Sequence, residues 1–324
     1  MKGMKCLKGA IDPKNLDQQS FEFTHNLADH PALTFENLSE VITSLPEEKV
    51  MFSKGLSNLK TDFEHILREG KKGFDLNEVI ENIRTGSAYI AVRNPELHSS
   101  FKSLFENICH DVGVLMKKNG TGTKPLEPML WLFIASPGAI TPFHFDRYSN
   151  FIFQIRGSKE LAVFPPRVEG IIPHKELESY MDHKNSVQEW TEEKDKSAHK
   201  YNFKSGEAVH IPFTSGHYVK NGLDDISITI SIFYHTDETL MWSNAMKFNH
   251  RMRRLGITPK ALGTNPVFDR LKAYVCLPIM DGLYALKEKL RTSSYASASV
   301  VIGQLGLLNV CGIDAIVVLD TILL

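Results

Sequence analysis

Short apolar runs punctuated by turn residues fill the middle of the chain. Ser87–Val92 and Met129–Ala135 read as strands. Phe151–Ile155 reads as a strand, Arg156-Gly157-Ser158 as a turn, and Lys159–Phe164 as a returning strand closed by Pro165-Pro166. A second turn at Ser205-Gly206-Glu207 opens further strands that run to Tyr234. Helical spacing flanks this region. Asn37–Leu45 predicts a short helix stopped by Pro46, and Leu59–Arg68 another. A helix opened by an acidic variant of a capping box at Asp75–Glu78 runs to Arg84. Leu97–Lys118 carries an apolar stripe (Phe101, Leu104, Ile108, Val112, Leu115) and ends at Gly120. Residues 238–290 turn helical again. The pattern predicts a mainly β core with helices before and after it. Three regions follow: a helical or irregular N-terminal extension over 1–84, a core over 85–236, and a C-terminal helical region with an apolar tail over 237–324. Residues 1–34 read as irregular apart from an early strand near Ser20–Thr24. The charged stretch Arg167–Lys204 reads as a solvated loop, with a substrate-contacting rim as the alternative.

Composition narrows the picture only at its edges. The 324 residues allow one large domain with helical additions, or two small ones. Hydrophobic content of 42% and charged content of 23% are those of a globular protein. A net charge of −1 gives no field that selects nucleic acid or an anionic membrane, so neither is expected as a partner. Four separated cysteines without a CxxC give no disulfide framework and fit a reducing cytoplasm. The basic start MKGMKCLKGA lacks the apolar run of a signal peptide. The tail over 299–324 has the length of a membrane span, but Gln304, Asn309, Asp314 and Asp320 argue for a packed or swapped tail instead.

The candidate chemistry lies in GAITPFHFDRYSN, residues 138–150. His144 and Asp146 are two apart, so in an extended strand they project from one face. A metal needs a third ligand, and GEAVHIPFTSGH delivers His217 after a short strand and a Pro-containing bend. Two histidines and one carboxylate on one face of a metal leave positions open, the facial triad of non-haem Fe(II) oxygenases. With 13 histidines one His-x-Asp pair arises by chance, and the second, His235-Asp237, reads as helix-start chemistry with Thr236. His210, beside Ile211-Pro212, reads as a packed imidazole.

The order Thr141-Pro142, His144-x-Asp146, Asn150-Phe151, Gln154-Ile155, Gly157-x-Lys159 and Phe164-Pro165-Pro166, with the later GEAVHIPFTSGH and SITISIFY, resembles the JmjC and cupin-like hydroxylases, in particular the HIF asparaginyl hydroxylase type. The resemblance covers about residues 85–235. It implies a double-stranded β-helix, the jelly-roll or cupin fold, and an Fe(II) enzyme with 2-oxoglutarate as cosubstrate and O₂ as oxidant. It places Lys159 and Thr141 on the distal carboxylate of 2-oxoglutarate, a phenol from Tyr89 beside them, and Asn150 near the metal. Ser231 falls where the asparaginyl hydroxylase has an asparagine, and Phe233 where it has a tryptophan, so the pocket wall departs from that relative. The implied activity is hydroxylation of a protein or peptide side chain. The same chemistry on a small metabolite, N-demethylation, and a non-catalytic metal-binding cupin module stay open. The resemblance also implies a homodimer through the C-terminal helices, with Phe268, Leu271, Tyr274, Val275, Ile279 and Leu283 as interface positions.

Overall fold

The computed structural model describes residues 3–54, 59, 83–85, 88–184 and 188–292. The helices expected over Leu59–Arg68 and Asp75–Arg84 fall almost wholly outside the described residues, as does the tail at 299–324. Two compact units divide the chain: Met1–Ile172 with Val187–Thr239, and Pro173–Ser186 with Leu240–Leu324.

All described strands belong to the first unit. They are β1 (Leu7–Lys8), β2 (Phe21–His25), β3 (Val50–Lys54), β4 (Ala88–Arg93), β5 (Leu126–Ala135), β6 (Ile140–Phe145), β7 (Ser149–Arg156), β8 (Ser158–Val163), β9 (His199–Lys204), β10 (Glu207–Ile211), β11 (Gly216–Asn221) and β12 (Ser227–His235). They form an eight-stranded sheet in the order β1-β2-β10-β7-β12-β5-β4-β3 and a four-stranded sheet in the order β6-β11-β8-β9. The pairings are antiparallel. This is the jelly-roll, or cupin, fold.

Residue parity explains how the large sheet serves two interiors. Every residue of β12 is buried. Ile228, Ile230, Ile232 and Tyr234 join one apolar core with Phe151 and Phe153 of β7 and Leu130, Leu132 and Ile134 of β5. The same core takes Leu104, Ile108, Val112 and Leu115 from helix Lys102–Asn119. The alternate residues Ser227, Ser231 and Phe233 face a cavity between the sheets. Beside that cavity, Ile152, Leu161, Val163, Tyr201, Phe203, Val209, Ile211 and Val219 make a second apolar cluster.

Helix Phe35–Ser44 starts at Thr34, whose hydroxyl accepts from the Asn37 N–H, and Pro46 follows its end as the pattern requires. Helix Lys102–Asn119 begins later than its stripe suggested, because Pro95–Leu97 and Ser99–Phe101 form tight 3₁₀ turns. It closes at Gly120 with φ 78°, a left-handed cap.

The stretch Arg167–Lys204 corrects the loop expectation. It holds helix His174–Met181, the short helix Glu192–Asp195, and β9 on the edge of the small sheet. In β9 Tyr201 and Phe203 alternate inward while their polar neighbours Lys200, Asn202 and Lys204 face out. The N-terminal stretch likewise contributes strands β1, β2 and β3 to the large sheet.

In the second unit, Phe248, Met252, Cys276, Leu277 and Met280 form a small core. Buried Glu178 accepts from Arg253 Nε at 2.5 Å and from Asn249 Nδ2 at 2.9 Å, so its charge is paired. Among the described residues no helix is long and apolar enough to cross a membrane.

Candidate metal centre

β6 and β11 set the candidate ligands opposite each other. His217 and His144 are direct register partners, and Asp146 lies just past the end of β6. One ligand atom from each of His144, Asp146 and His217 lies within 4.8 Å of the others. The two imidazole centroids are 4.2 Å apart, and His217 Nε2 is 3.5 Å from Asp146 Oδ2.

Backbone carbonyls fix both rings. His144 Nδ1 sits 2.7 Å from Pro142 O, and His217 Nδ1 sits 3.1 Å from Ser215 O. A ring nitrogen held against a carbonyl carries a proton, so Nε2 is the atom of each ring that can serve as a metal ligand. Burial, and then the neighbouring His144, push the His217 imidazole well below its ordinary range, which keeps it neutral. Two imidazoles and one carboxylate fit a divalent transition metal, with further coordination positions left for other ligands.

A bulge lets β6 serve the site twice. His217 pairs with His144, but Val219 pairs with Thr141, so Pro142 and Phe143 of β6 stand against Tyr218 alone of β11. In a regular strand Thr141 and His144 would face opposite ways. Here both line the cavity. Gly216, next to His217, has no room for a side chain: an added Cβ would lie 2.7 Å from Phe143 Cε2.

Lys159 enters the same cavity from β8, opposite Asn221 of β11. It is 7% exposed, and burial pushes its ammonium down to about 7. Its Nζ donates to Thr229 Oγ1 at 2.5 Å. Thr229 donates to Gln154 Oε1 at 3.0 Å, and Gln154 Nε2 donates to Ser227 Oγ at 3.0 Å. Tyr89 also lines the cavity and hydrogen-bonds Thr141, and burial pushes its phenol up. Asn150 and Ser231 complete the polar lining. Asn150 Oδ1, Ser231 Oγ and Asn221 Oδ1 are buried and accept or donate no hydrogen bond within the described protein, so they are available to a ligand.

All eight residues singled out in the sequence therefore reach one cavity: His144, Asp146, His217, Lys159, Thr141, Asn150, Tyr89 and Ser231. Phe233, expected in the pocket wall, joins them, as do Phe133 and Asn221, which had been assigned no role. Trp131 stacks on Phe133 at 5.7 Å and meets Phe233 edge-on at 6.1 Å, an aromatic wall built by alternate residues of β5 and β12. His210 stays outside the cavity as a packed imidazole, between Phe21 and Phe151 at 4.9 Å and 4.8 Å. Thr236 caps the helix that follows β12, its hydroxyl accepting from the Thr239 N–H at 3.1 Å.

A family model described as a cupin-like domain matches residues 14–239. No curated protein matches the sequence. Among solved structures, Escherichia coli YcfD is similar at 12% identity, over 89% of this chain and 69% of that one, with a TM-score of 0.46. A structure of the Escherichia coli ribosomal oxygenase YcfD with cobalt and 2-oxoglutarate shares 14% identity over 78% of this chain and 58% of that one, with a TM-score of 0.43. A mutant Bacillus subtilis oxalate decarboxylase OxdC shares 20% identity over 33% of this chain and 22% of that one, with a TM-score of 0.23. The chain thus spans under two thirds of these last two proteins.

Proposed function

The chain belongs to the cupin-like domain family, and from that premise we propose that it is an Fe(II)- and 2-oxoglutarate-dependent oxygenase that hydroxylates a protein or peptide side chain. One observation carries the reading: a buried lysine shares the cavity of the His-Asp-His set. A protein that only bound a metal would have no use for an ammonium in this interior, where an uncompensated charge is costly. An organic dianion supplies the missing partner.

His144, Asp146 and His217 would hold Fe(II), which supplies dioxygen activation coupled to oxidation of 2-oxoglutarate to succinate and carbon dioxide. Lys159 pairs with the distal carboxylate, and Thr141 and Tyr89 add hydroxyl groups to it. Asn150 and Ser231 offer their open polar atoms to the metal end of the cosubstrate. Ile152, Ile211 and Val219 close the barrel against water. Asp146, with its side chain 20% exposed, marks the side from which substrate approaches. The aromatic wall of Trp131, Phe133 and Phe233 then orients the substrate.

The test loads the protein with Fe(II) and 2-oxoglutarate, adds a cell lysate under ¹⁸O₂, and measures succinate and the location of the label. Label on a protein side chain supports the reading, and label confined to small molecules moves the substrate class to metabolites. Succinate release no greater than that of Asp146→Ala overturns the enzyme itself.

A further inference from the structure

We infer that Asp17 is a positioning residue for His217, holding from outside the cavity the turn that presents this imidazole. The inference rests on the metal reading above.

Asp17 lies in the connection between β1 and β2, remote in sequence from every candidate ligand. It is buried and has φ 58°, a left-handed conformation that aspartate tolerates better than most residues. Its Oδ1 accepts the Phe213 N–H at 3.0 Å and the Ser149 hydroxyl at 2.6 Å. Its own N–H donates to His210 Nε2 at 3.0 Å, and His210 Nδ1 donates to Asn150 O at 3.0 Å. One residue thus ties together the end of β10, the turn after it, and the start of β7, which carries Asn150.

The turn needs such a hold. Thr214 is a β-branched residue at φ 65°, a conformation it rarely adopts unaided. Its hydroxyl donates to Phe213 O at 2.6 Å, and the Ser215 N–H donates to Pro212 O at 3.0 Å. The carbonyl of Ser215 then receives His217 Nδ1. A short path, hydrogen-bonded at each end and covalent from Phe213 to Ser215, therefore joins the Asp17 carboxylate to the ligand ring: Phe213 N–H, Thr214, Ser215 C=O, His217 Nδ1. On the far side the turn has little room, because a Cβ added at Gly216 would lie 2.7 Å from Phe143 Cε2. Loss of the carboxylate lets Phe213 and Thr214 relax, and the Ser215 carbonyl turns with them.

The experiment uses the full chain with Co(II) as a spectroscopic probe, and follows affinity, ligand-field bands and thermal unfolding. Asp17→Ala is expected to weaken Co(II) binding about 10- to 100-fold, the usual cost of losing a group behind a metal ligand, and to change the bands. Asp17→Asn keeps an oxygen that accepts the Phe213 N–H, and is expected to restore the wild-type spectrum. A folded Asp17→Ala with wild-type affinity and spectrum, merely lower in Tm, overturns the inference. Should Asp17→Ala not fold, Asp17→Gly decides: it removes the carboxylate while accepting the φ of 58° without strain, and an unchanged Co(II) affinity and spectrum in it overturns the inference. His217→Ala separates the two readings. Its loss of Co(II) beside an unchanged Asp17→Ala removes the positioning role alone, whereas its retention of Co(II) removes the metal site and this inference together.

Discussion

Lys159 of β8 and Thr229 of β12 meet across the barrel at 2.5 Å, ammonium to hydroxyl. A hydroxyl does not neutralise a buried charge, and burial accounts for the lowered titration of this lysine. Lys159→Ala is expected to weaken 2-oxoglutarate binding by about two to three orders of magnitude, since leaving one member of a buried pair alone costs ~3–5 kcal/mol. Metal affinity should hardly move. Asp146→Ala should do the reverse, losing metal first and chelated cosubstrate with it. Parallel titrations of metal and 2-oxoglutarate check both. Unchanged 2-oxoglutarate binding in Lys159→Ala means that the carboxylate binds elsewhere.

The same lysine makes cosubstrate binding proton-linked. With the ammonium at about 7 before binding, part of the population is neutral at physiological pH. Pairing with a carboxylate raises that value, so binding above it takes up a proton. Affinity should fall by up to about tenfold per pH unit as pH climbs from there toward the ordinary lysine range. Calorimetry at pH 8 in two buffers of different ionisation enthalpy reads the uptake directly, and Lys159→Ala should show none.

Asp111 supports the fold far from the cavity. Its fully buried carboxylate accepts the backbone N–H groups of Lys5, Cys6 and Leu7 at 2.6–3.0 Å, tying the chain start to helix Lys102–Asn119. Hydrogen bonds to a charged group contribute ~1.5–3 kcal/mol each, so Asp111→Ala should lose at least about 3 kcal/mol in urea unfolding. A loss within experimental error would show that this clamp is dispensable.

Acid should destabilise the native state before carboxylates titrate. Burial lowers the native titration of His25 and His210, while in the unfolded chain both revert to about 6.5. The unfolded chain therefore binds the extra protons as pH falls through that value. Stability is full above it and declines below it, by up to ~1.4 kcal/mol per pH unit for each histidine. Urea midpoints at pH 7.5 and 5.5 measure the decline, and equal midpoints would mean that these imidazoles are not held neutral.

The helical second unit is expected to mediate homodimerisation. Phe268, Tyr274 and Val275 are 43%, 56% and 37% exposed, more apolar surface than a short helical segment leaves open without a partner. Leu271 and Ile279, expected beside them, pack on the unit's own core instead. The side chain of Leu283 lies outside the described residues. Light scattering should give a dimer for the full chain and a monomer for Phe268→Ser combined with Tyr274→Ser. A wild-type monomer at high concentration rules the interface out.

That His144, Asp146 and His217 come together was legible in part because spacing is local: His144 and Asp146 are two apart, although Asp146 lies just past the end of β6. The order of turn, strand and bend before His217 carried the rest. The β6 bulge was not legible, since Pro142 fits an edge strand as well as a bulge, and the extra residue appears only against β11. β9 was hidden because its two inward aromatics, Tyr201 and Phe203, sit in a charged run whose composition outweighed their spacing. Asp17 and Asp111 had no signal at all. Each acts on backbone groups about a hundred or more residues away, and an isolated aspartate in a loop or helix reads the same whether or not it does so.

β12 divides its labour by parity, and this bears on how such a protein can change. The even positions from Ile228 to Tyr234 answer to the packing of the helix-covered core. Ser227, Ser231 and Phe233 face the cavity, Ser227 also accepting from Gln154 Nε2 and Phe233 also meeting Trp131. On the proposed function, substitutions at Ser231 and Phe233 are expected to alter which molecule is accepted while most of the strand's apolar packing lies on the other face. One strand therefore offers selection a nearly independent dial for specificity, and variants at Ser231 and Phe233 form the natural library for retargeting the site.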